Sequence, residues 1–431
     1  MGLLTFKGGV HPNDGKSLAK DKAIVELLPQ GDLVYPLSQH IGAPAKPVVA
    51  KGDHVLKGQK IAEAGGFVSA PIYASVSGTV KAIEPRVNPT GSKVNSIIIA
   101  NDGQYEEVEY PQPKPLSELT KEEILNIIGE AGVVGMGGAG FPTCVKLKPA
   151  KPVDTILLNG CECEPLLTAD HRVLLEYADD IIYGLKAILK TTGAEKGIIV
   201  IEDNKPDAIE LMQEKVANIG NMEVFVARTK YPQGAEKTLI KRVMGRQVPS
   251  GGLPADVGVV VDNISTVKAI SDAIRKGMPL IERVATVTGE KIKHPGNFVI
   301  KIGTSVKELI DYCGGFTDED VLVKMGGPMM GFPLKDLEVP MMKGSNGIIA
   351  IDTDETTEQA CIKCGRCVDV CPMELSPLYF VKYADQENWE GMRDMHVMDC
   401  VECRCCQYIC SSKISIIDRI KAGKNAVRGM K

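Results

Sequence analysis

The chain reads CIKCGRCVDVCP at residues 361–372 and CVECRCCQYICS at residues 400–411. Each run spaces four cysteines as C-x2-C-x2-C-x3-C. Thiolates at this spacing wrap three corners of a cubane iron–sulfur cluster, and the fourth cysteine of each run ligates the other cluster. The runs therefore predict two [4Fe–4S] clusters, one on Cys361, Cys364, Cys367 and Cys410 and the other on Cys400, Cys403, Cys406 and Cys371.

Zinc ligation and disulfide formation are the alternatives for these eight thiols. Zinc sites usually show C-x2-C pairs rather than triplets, whereas here one spacing rule is obeyed twice. An additional thiol, Cys405, stands beside Cys406 and could take its place as a ligand. The runs therefore favour single-electron transfer through this part of the chain, with the ligand at 405 or 406 left open.

Composition narrows the remaining classes of function. The chain has 431 residues, a net charge of −5 and only 5% aromatic residues, which argues against a nucleic-acid-binding surface. No apolar run reaches the roughly 18 residues of a membrane span, and the start, MGLLTFK, lacks the apolar region of a secretory signal. We therefore expect a cytoplasmic protein with reduced cysteines, and exposed clusters would suit an anaerobic bacterium.

Toward the N-terminus, residues 1–110 read as a small β domain. Short apolar stretches broken by glycine, such as Gly52-Asp53-x-Val55-x-x-Gly58-Gln59, resemble biotinyl and lipoyl carrier domains. Those domains carry a lysine at a hairpin tip, but the tip here reads EAGGF at residues 63–67. We expect a barrel-sandwich scaffold without a swinging arm.

Three further units follow this domain. After a stiff linker with prolines at 111, 113 and 115, Thr120 to Glu123 form a capping box, and residues 116–280 alternate strands with helices as an α/β domain. Its predicted strands are Thr155–Leu158, Gly197–Ile201 and Glu223–Val226, with a helical stretch over Arg172–Lys190. Residues 283–352 return to short strands around a helix at Thr304–Tyr312, and residues 355–431 hold the cysteine runs.

A glycine loop, GMGGAGFPT at residues 135–143, is the second chemical signal. Residues without side chains let backbone amides approach a phosphate or a flat ring closely, although a flexible surface turn is the alternative. A Rossmann loop follows a strand, and this loop follows a helix, which argues against an ordinary dinucleotide fold. After the next strand comes NGCECEP at residues 159–165, whose carboxylates could accept ribose hydroxyls.

Residues 135–146 and 159–165 resemble motifs of the flavin- and NADH-binding subunit of respiratory complex I. So do YPQGAEKT at residues 231–238 and DNIST at residues 262–266, and residues 289–316 are similar to the β-grasp (SLBB) segment of that protein. The order of all domains, with the opening TFKGGVHP at residues 5–12, resembles the C subunits of the Rnf complexes, which are membrane-bound ferredoxin:NAD+ oxidoreductases.

This resemblance implies a multidomain α/β and α+β chain: a barrel-sandwich domain, a complex-I-type FMN and NADH domain, an SLBB β-grasp domain and an α-helical two-cluster ferredoxin domain. It also implies that residues of the glycine loop and the neighbouring motifs hold non-covalent FMN, and that two glutamates face the nicotinamide nucleotide. The implied FMN residues are Gly135, Gly137, Gly138, Gly140, Lys146, Asn159, Tyr231, Gly234, Glu236, Asp262, Asn263 and Thr266, and the glutamates are Glu162 and Glu164.

The implied activity is electron transfer between NAD(H) and the clusters, within a complex that couples ferredoxin:NAD+ oxidoreduction to Na+ or H+ translocation. The implied partners are the iron–sulfur B subunit and the membrane subunits, with ferredoxin reached indirectly. This chain would be peripheral on the cytoplasmic side of the membrane. The alternative is a soluble relative that passes NADH electrons to a cytosolic reductase.

Overall fold

A computed structural model describes residues 5–138, 140–353 and 357–430. Its N-terminal barrel consists of two antiparallel sheets that share a buried apolar interior. The four-stranded sheet has the order β2-β8-β7-β4, and the three-stranded sheet has the order β3-β5-β6. The strands are β2 (Leu33–Pro36), β3 (Lys46–Pro47), β4 (His54–Val55), β5 (Lys60–Glu63), β6 (Ile72–Tyr73), β7 (Gly78–Val87) and β8 (Lys93–Asn101).

The strand before this barrel belongs elsewhere. β1 (Ile24–Leu27) pairs in parallel with a strand of the β-grasp sheet, 273 residues further along from Ile24 to its partner Asn297. Within the predicted N-terminal domain of residues 1–110, this segment therefore leaves the barrel. Nothing in the local sequence encodes that pairing, because its partner lies in another domain.

The second domain is a four-stranded parallel sheet with the order β11-β10-β9-β12, flanked by helices. Its strands are β9 (Thr155–Gly160), β10 (Lys196–Glu202), β11 (Met222–Ala227) and β12 (Val259–Asn263), which confirms the three predicted strands. Its helices are α1 (Lys121–Glu130), α2 (Thr143–Lys146), α3 (Ala169–Glu176), α4 (Ala178–Thr192), α5 (Pro206–Val216), α6 (Glu236–Met244) and α7 (Ile264–Lys276).

The capping box that opens α1 is confirmed, because Glu123 N–H donates to Thr120 Oγ1 and Thr120 N–H donates to Glu123 Oε2. The prediction of one helix over Arg172–Lys190 is wrong, since the chain breaks at Tyr177 into α3 and α4. The break lets α3 contact the β-grasp sheet while α4 packs against α1 and α7. This is a tertiary demand that helical periodicity does not record.

The third domain is a six-stranded mixed sheet, β1-β14-β13-β17-β15-β16, with one helix packed on it. Its own elements are β13 (Glu282–Thr288), β14 (Gly296–Lys301), α8 (Val306–Tyr312), β15 (Leu322–Met325), β16 (Phe332–Pro333) and β17 (Gly347–Ile351). The predicted helix at Thr304–Tyr312 is confirmed with a later start, because Ser305 caps α8 by accepting from Glu308 N–H.

The C-terminal domain is helical and small. Its helices are α9 (Arg366–Asp369), α10 (Pro377–Asp385), α11 (Trp389–Asp394), α12 (Cys405–Tyr408) and α13 (Ile416–Gly429). They enclose an apolar core in which cysteines pack among Phe380, Met392 and Ile420. None of the helices in the described ranges combines the length and the apolar composition of a membrane span.

Candidate functional site

The strand order of the parallel sheet reverses between β9 and β12, and the carboxyl ends of these two strands are hereafter the crevice. From β9 the chain proceeds to β10 and β11 on one side, then returns to place β12 on the other side of β9. Open α/β sheets bind ligands at such a reversal of strand order. Asn159, the last residue but one of β9, pairs with Asn263 at the end of β12, and Asp262 precedes Asn263.

The glycine loop lies against the start of α7, next to this crevice. Met136 N–H donates to Thr266 Oγ1 over 2.9 Å, and a Cβ on Gly137 would lie 2.8 Å from Asn263 Cβ. A Cβ on Gly138 would meet nothing within 4 Å. The loop is therefore anchored on one flank and open on the other, as a cradle for a flat ring or a phosphate requires.

A lysine is held at the same edge by two carboxylates. Lys146 Nζ lies 3.3 Å from Asp262 Oδ1 and 3.7 Å from Glu236 Oε1, and it also donates to the Val261 carbonyl. Burial lowers the pKa of Lys146, but the two carboxylates outweigh that effect and raise it above its ordinary value. The two carboxylates thus favour the charged form of Lys146 beside the crevice.

Asn159 and Gly234 meet across the crevice. Asn159 Nδ2 donates to the Gly234 carbonyl over 2.8 Å, and Gly234 N–H donates to Cys163 Sγ over 3.3 Å. A Cβ on Gly234 would lie within 3.4 Å of both Asn159 and Cys163, so a side chain there would crowd the contact. Of the residues that sequence reasoning selected, Asn159 and Gly234 are thus in direct contact.

Several buried polar atoms near this edge have no hydrogen-bond partner among the described residues. They include both side-chain amide atoms of Gln233, Thr238 Oγ1 in the first turn of α6, and Thr143 Oγ1 at the start of α2. Buried polar groups are normally satisfied, so unpaired ones in a crevice indicate a polar ligand. The residues present therefore fit a flavin mononucleotide, with its polar ring edge and its phosphate.

The loop at residues 159–165, hereafter the acidic loop, makes its contacts inside the protein. Glu162 accepts hydrogen bonds from the N–H groups of Asp170 and His171 in the first turn of α3, and its side chain is 6% exposed. Glu164 accepts from the N–H groups of Met329 and Met330 in the β-grasp domain. Both carboxylates thus hold neighbouring elements in place in this structure.

The eight cysteines line two separate cavities in the crossed grouping expected from their spacing. One cavity is lined by Cys361, Cys364, Cys367 and Cys410. The other is lined by Cys371, Cys400, Cys403 and Cys406. Hereafter these are the first and second cluster cavities.

The thiols of the described chain do not converge on a point that a single metal ion would occupy. A zinc site needs that convergence, whereas a cubane spreads its ligands around a larger body. Backbone N–H groups of Lys363, Leu375 and Glu402 point at the sulfurs of Cys361, Cys371 and Cys400 over 3.3–3.4 Å. Four thiols of the two motifs in each cavity, together with amide donors, fit a [4Fe–4S] cluster.

Cys405 occupies a distinct position in the wall of the second cluster cavity. It is fully buried, and its Sγ lies 3.9 Å from the Tyr231 carbonyl oxygen. It packs with Cys403, Tyr231, Val10 and Met329, whereas Cys406 belongs to the core of the helical domain. Cys405 therefore faces the neighbouring domains.

The crevice and the second cluster cavity are joined by a short series of contacts. Cys163, which receives the Gly234 amide, packs in one apolar cluster with Tyr231 and Cys403. Tyr231 is 2% exposed and Cys403 is also buried, whereas Cys163 is partly exposed, so the middle of this junction is shielded from solvent. The first cluster cavity lies further out, and Cys361 and Cys364 are exposed there.

Sequence reasoning missed two residues with central roles here. Lys16 is buried, and its Nζ donates to the carbonyls of Glu162 and Glu164 over 2.9 and 3.0 Å. Asp170 accepts from Asn263 Nδ2 and Ser265 Oγ, both over 2.6 Å. Long sequence separation hides both roles. Gln233, by contrast, lies inside the recognised motif at residues 231–238 and could have been selected from it.

Sequence models of four known domains match the chain. The order of matches is the “RnfC Barrel sandwich hybrid domain” at residues 4–104, the “Nuo51 FMN-binding domain” at 128–272, the “SLBB domain” at 284–333 and the “4Fe-4S dicluster domain” at 360–414. The predicted order and type of the four domains are thereby confirmed.

Relatives with established names match over nearly the whole chain. The C subunit of the proton-translocating ferredoxin:NAD(+) oxidoreductase complex of Clostridium ljungdahlii is 51% identical, covering 87% of this chain and 83% of the relative. The C subunit of the Na(+)-translocating complex of Acetobacterium woodii is 43% identical, covering 98% and 97%. The C subunit of the ion-translocating oxidoreductase complex of Rhodobacter capsulatus is 42% identical, covering 91% and 78%.

Among solved structures, the chain is similar to one chain in the crystal structure of an NAD+-reducing [NiFe]-hydrogenase in the H2-reduced state. The TM-score is 0.50 at 18% sequence identity, and the match covers 74% of this chain and 61% of that one. At this identity the likeness concerns the fold alone.

Proposed function

Because the chain belongs to the family of C subunits of ion-translocating ferredoxin:NAD(+) oxidoreductase complexes, we propose that it carries electrons between NAD(H) and two [4Fe–4S] clusters through a non-covalent FMN. The observation that carries this proposal is the packed junction between the crevice and the second cluster cavity, through Cys163, Tyr231 and Cys403. A packed junction of this kind brings the proposed flavin site next to the second cluster cavity.

Some crevice residues would contact FMN, whereas others keep the neighbouring backbone in place. Lys146 and the amides of the glycine loop suit its phosphate or ring edge, and Gln233 and Thr238 offer unpaired polar atoms. Thr266 anchors the loop itself, and Asn263 beside it is held by Asp170. FMN, when bound, accepts two electrons as a hydride and releases them one at a time. The nicotinamide contact of Glu162 and Glu164 stays a prediction.

The proposed ligands are those of the two cavities, with Cys406 and not Cys405 on the second cluster. Exchanging each of the two neighbours for serine tests this assignment, with iron counted per chain after anaerobic purification. Cys405→Ser should keep about eight irons, and Cys406→Ser should lose up to about four of them. The opposite pattern would make Cys405 the ligand.

The main experiment is anaerobic purification with flavin and iron quantified in one sample. We expect one FMN and about eight irons per chain, and NADH should bleach the cluster absorbance. Protein that binds no flavin, or that keeps its flavin but shows no NADH-driven bleaching, would contradict the proposal.

As partners we propose the iron–sulfur B subunit and the membrane subunits of the complex, with Na+ or H+ as the coupled ion. The chain would attach peripherally at the cytoplasmic side of the membrane, where NAD(H) and ferredoxin are found. Recovery with the membrane fraction only when the membrane subunits are co-produced would support this assignment. Recovery in the supernatant in both cases would oppose it.

A further inference from the structure

The two cysteine runs have the same backbone conformation, so their side chains can be compared position by position. Lys363 follows Cys361 as Glu402 follows Cys400, with φ of 56° and 55°. Lys413 follows Cys410 as Glu374 follows Cys371, with φ of 53° and 56°. Arg366 and Cys405 are the third equivalent pair, each at the start of a short helix.

Around the second cluster cavity these positions are either paired with a charge of the same chain or buried. Glu402 Oε1 accepts from Lys424 Nζ over 2.5 Å, and Glu374 pairs with Lys241 over 3.0 Å and with Lys7 over 3.3 Å. The remaining position, Cys405, is fully buried. Every charge at these positions is therefore matched within the chain.

Around the first cluster cavity all three positions carry exposed cations. Lys363 N–H donates to Cys361 Sγ, Lys413 N–H donates to the Cys410 carbonyl, and Arg366 lines the cavity. Within residues 5–138, 140–353 and 357–430, none of the three side chains makes an ion pair. Cys361 and Cys364 are exposed among them.

Compensation of the cluster's negative charge does not account for these cations. The second cluster would carry the same charge, yet its two equivalent charged positions hold carboxylates, Glu402 and Glu374. The difference between the cavities lies in what they face, since one faces other domains and the other faces solvent. Unmatched cations on an exposed face attract an anionic partner and speed its encounter.

We propose that Lys363, Arg366 and Lys413, hereafter the cationic face, form the docking surface for an acidic protein that exchanges single electrons with the first cluster. This rests on the proposed function and names the chemistry of the partner. Each encounter moves one electron and no proton, so the two electrons of one NADH require two encounters. The exposed thiols of Cys361 and Cys364 mark where the carriers approach most closely.

Zinc-substituted rubredoxin, a small acidic protein made redox-inert by the metal exchange, tests the surface without catalysis. Its binding to the holoprotein is measured by calorimetry at low and high ionic strength. The variant K363E/R366Q/K413E puts at 363 and 413 the residue type already found at the equivalent positions, so its backbone should be tolerated. We expect binding about tenfold weaker than wild type at low salt, and equally weak binding of both at high salt.

The matched control K51E/K186Q/K335E makes the same charge change at three exposed lysines on other domains, and it should bind as the wild type does. Equal weakening in the control would overturn the proposal, because net charge alone would then explain the effect. The proposal would also be overturned if the variant changed the redox potential of the first cluster but bound rubredoxin as the wild type does. A salt-sensitive dimer of the wild type would overturn it as well, because the cationic face would then bind a second copy of this chain. Because the binding assay contains no NADH, failure of NADH-driven bleaching would count against the proposed function only.

Discussion

At the scale of single residues, buried lysines connect segments that are remote in sequence. Lys16 joins the N-terminal segment to the acidic loop 146 residues away, and its Nζ lies 3.8 Å from Glu162 Oε2. Burial raises the pKa of Glu162, and the nearby ammonium of Lys16 opposes that rise. The carboxylate and the lysine therefore stabilise each other in a region closed to water.

Glu162→Gln tests whether this carboxylate is structural or binds nucleotide. Removing one partner of a buried ion pair leaves the other uncompensated, so we expect the variant to unfold about 3 kcal/mol more easily. The KM for NADH should change little if the carboxylate is structural alone. Thermal unfolding and steady-state kinetics measure the two effects, with the exposed Glu118→Gln as control. A raised KM at unchanged stability would instead support the predicted nicotinamide contact.

Because of the buried Lys343, we expect the stability of the folded protein to depend on pH. Its buried Nζ donates to the carbonyls of Pro71 and Gly132, and burial lowers its pKa to about 7. Above pH 7 the folded state holds the neutral amine, whereas the unfolded state remains protonated up to about pH 10.4. The unfolded state therefore binds more protons, and this contribution to stability increases with pH between these values.

Lys343→Met removes that contribution. Between pH 7 and pH 9, the free energy of unfolding of the wild type should rise relative to that of the variant by up to about 1.4 kcal/mol per pH unit. The melting temperatures of both proteins, followed over this range, measure the gain, and Lys335→Met is the exposed control. A gap that stays constant from pH 7 to pH 9 would contradict the prediction.

At the scale of elements, the glycine loop depends on the start of α7 for its shape. Thr266 Oγ1 accepts from Met136 N–H, while Asn263 caps the helix and is held in turn by Asp170. The flexibility that glycine gives the loop is thus restricted by a rigid neighbouring helix. Because the glycine loop is already ordered, ligand binding does not have to offset the entropy cost of ordering the loop.

Thr266→Val should weaken FMN binding about tenfold, because the buried Met136 N–H loses its acceptor and the loop loosens. Fluorescence titration of flavin-depleted protein measures the affinity. Thr191→Val is the matched control, since that hydroxyl donates to a carbonyl inside α4. Unchanged flavin affinity in Thr266→Val would show that the anchor is dispensable.

At the scale of the whole molecule, the N-terminal segment ties the domains together. Gly9 N–H donates to the Val370 carbonyl in the cluster domain, and Val10 exchanges two hydrogen bonds with Tyr231 in the flavin domain. β1 then joins the β-grasp sheet. This segment crosses the junction through which we propose that electrons pass.

Gly8→Ala tests whether the N-terminal segment holds this junction together. Gly8 has φ of 75°, and an added Cβ would lie 2.6 Å from the Cys371 carbonyl oxygen, so backbone would have to move at a proposed ligand of the second cluster. We expect a lower melting temperature and a loss of iron. Gly103→Ala is matched, with φ of 70° and no atom within 4 Å of the added Cβ. Equal effects in both variants would assign the loss to backbone strain alone.

Local signals in the sequence were sufficient for much of this protein. The cysteine spacing predicted how the eight motif thiols divide between the two cavities, and the capping box, three strands of the parallel sheet and the β-grasp helix followed from short-range patterns. The domain order followed from motifs that each lie within a few residues. Such features depend on neighbours along the chain, and the sequence records these directly.

Other features were decided only by the tertiary structure. They include the division of α3 from α4 at Tyr177, the transfer of β1 to a distant sheet, the inward contacts of Glu162, and the burial of Lys16 beneath the acidic loop. Each depends on partners many residues away, which leave no periodicity in the local sequence. The contrast between the two cysteine runs has the same origin, since equal spacing determines the ligands, but only packing determines which cluster meets solvent.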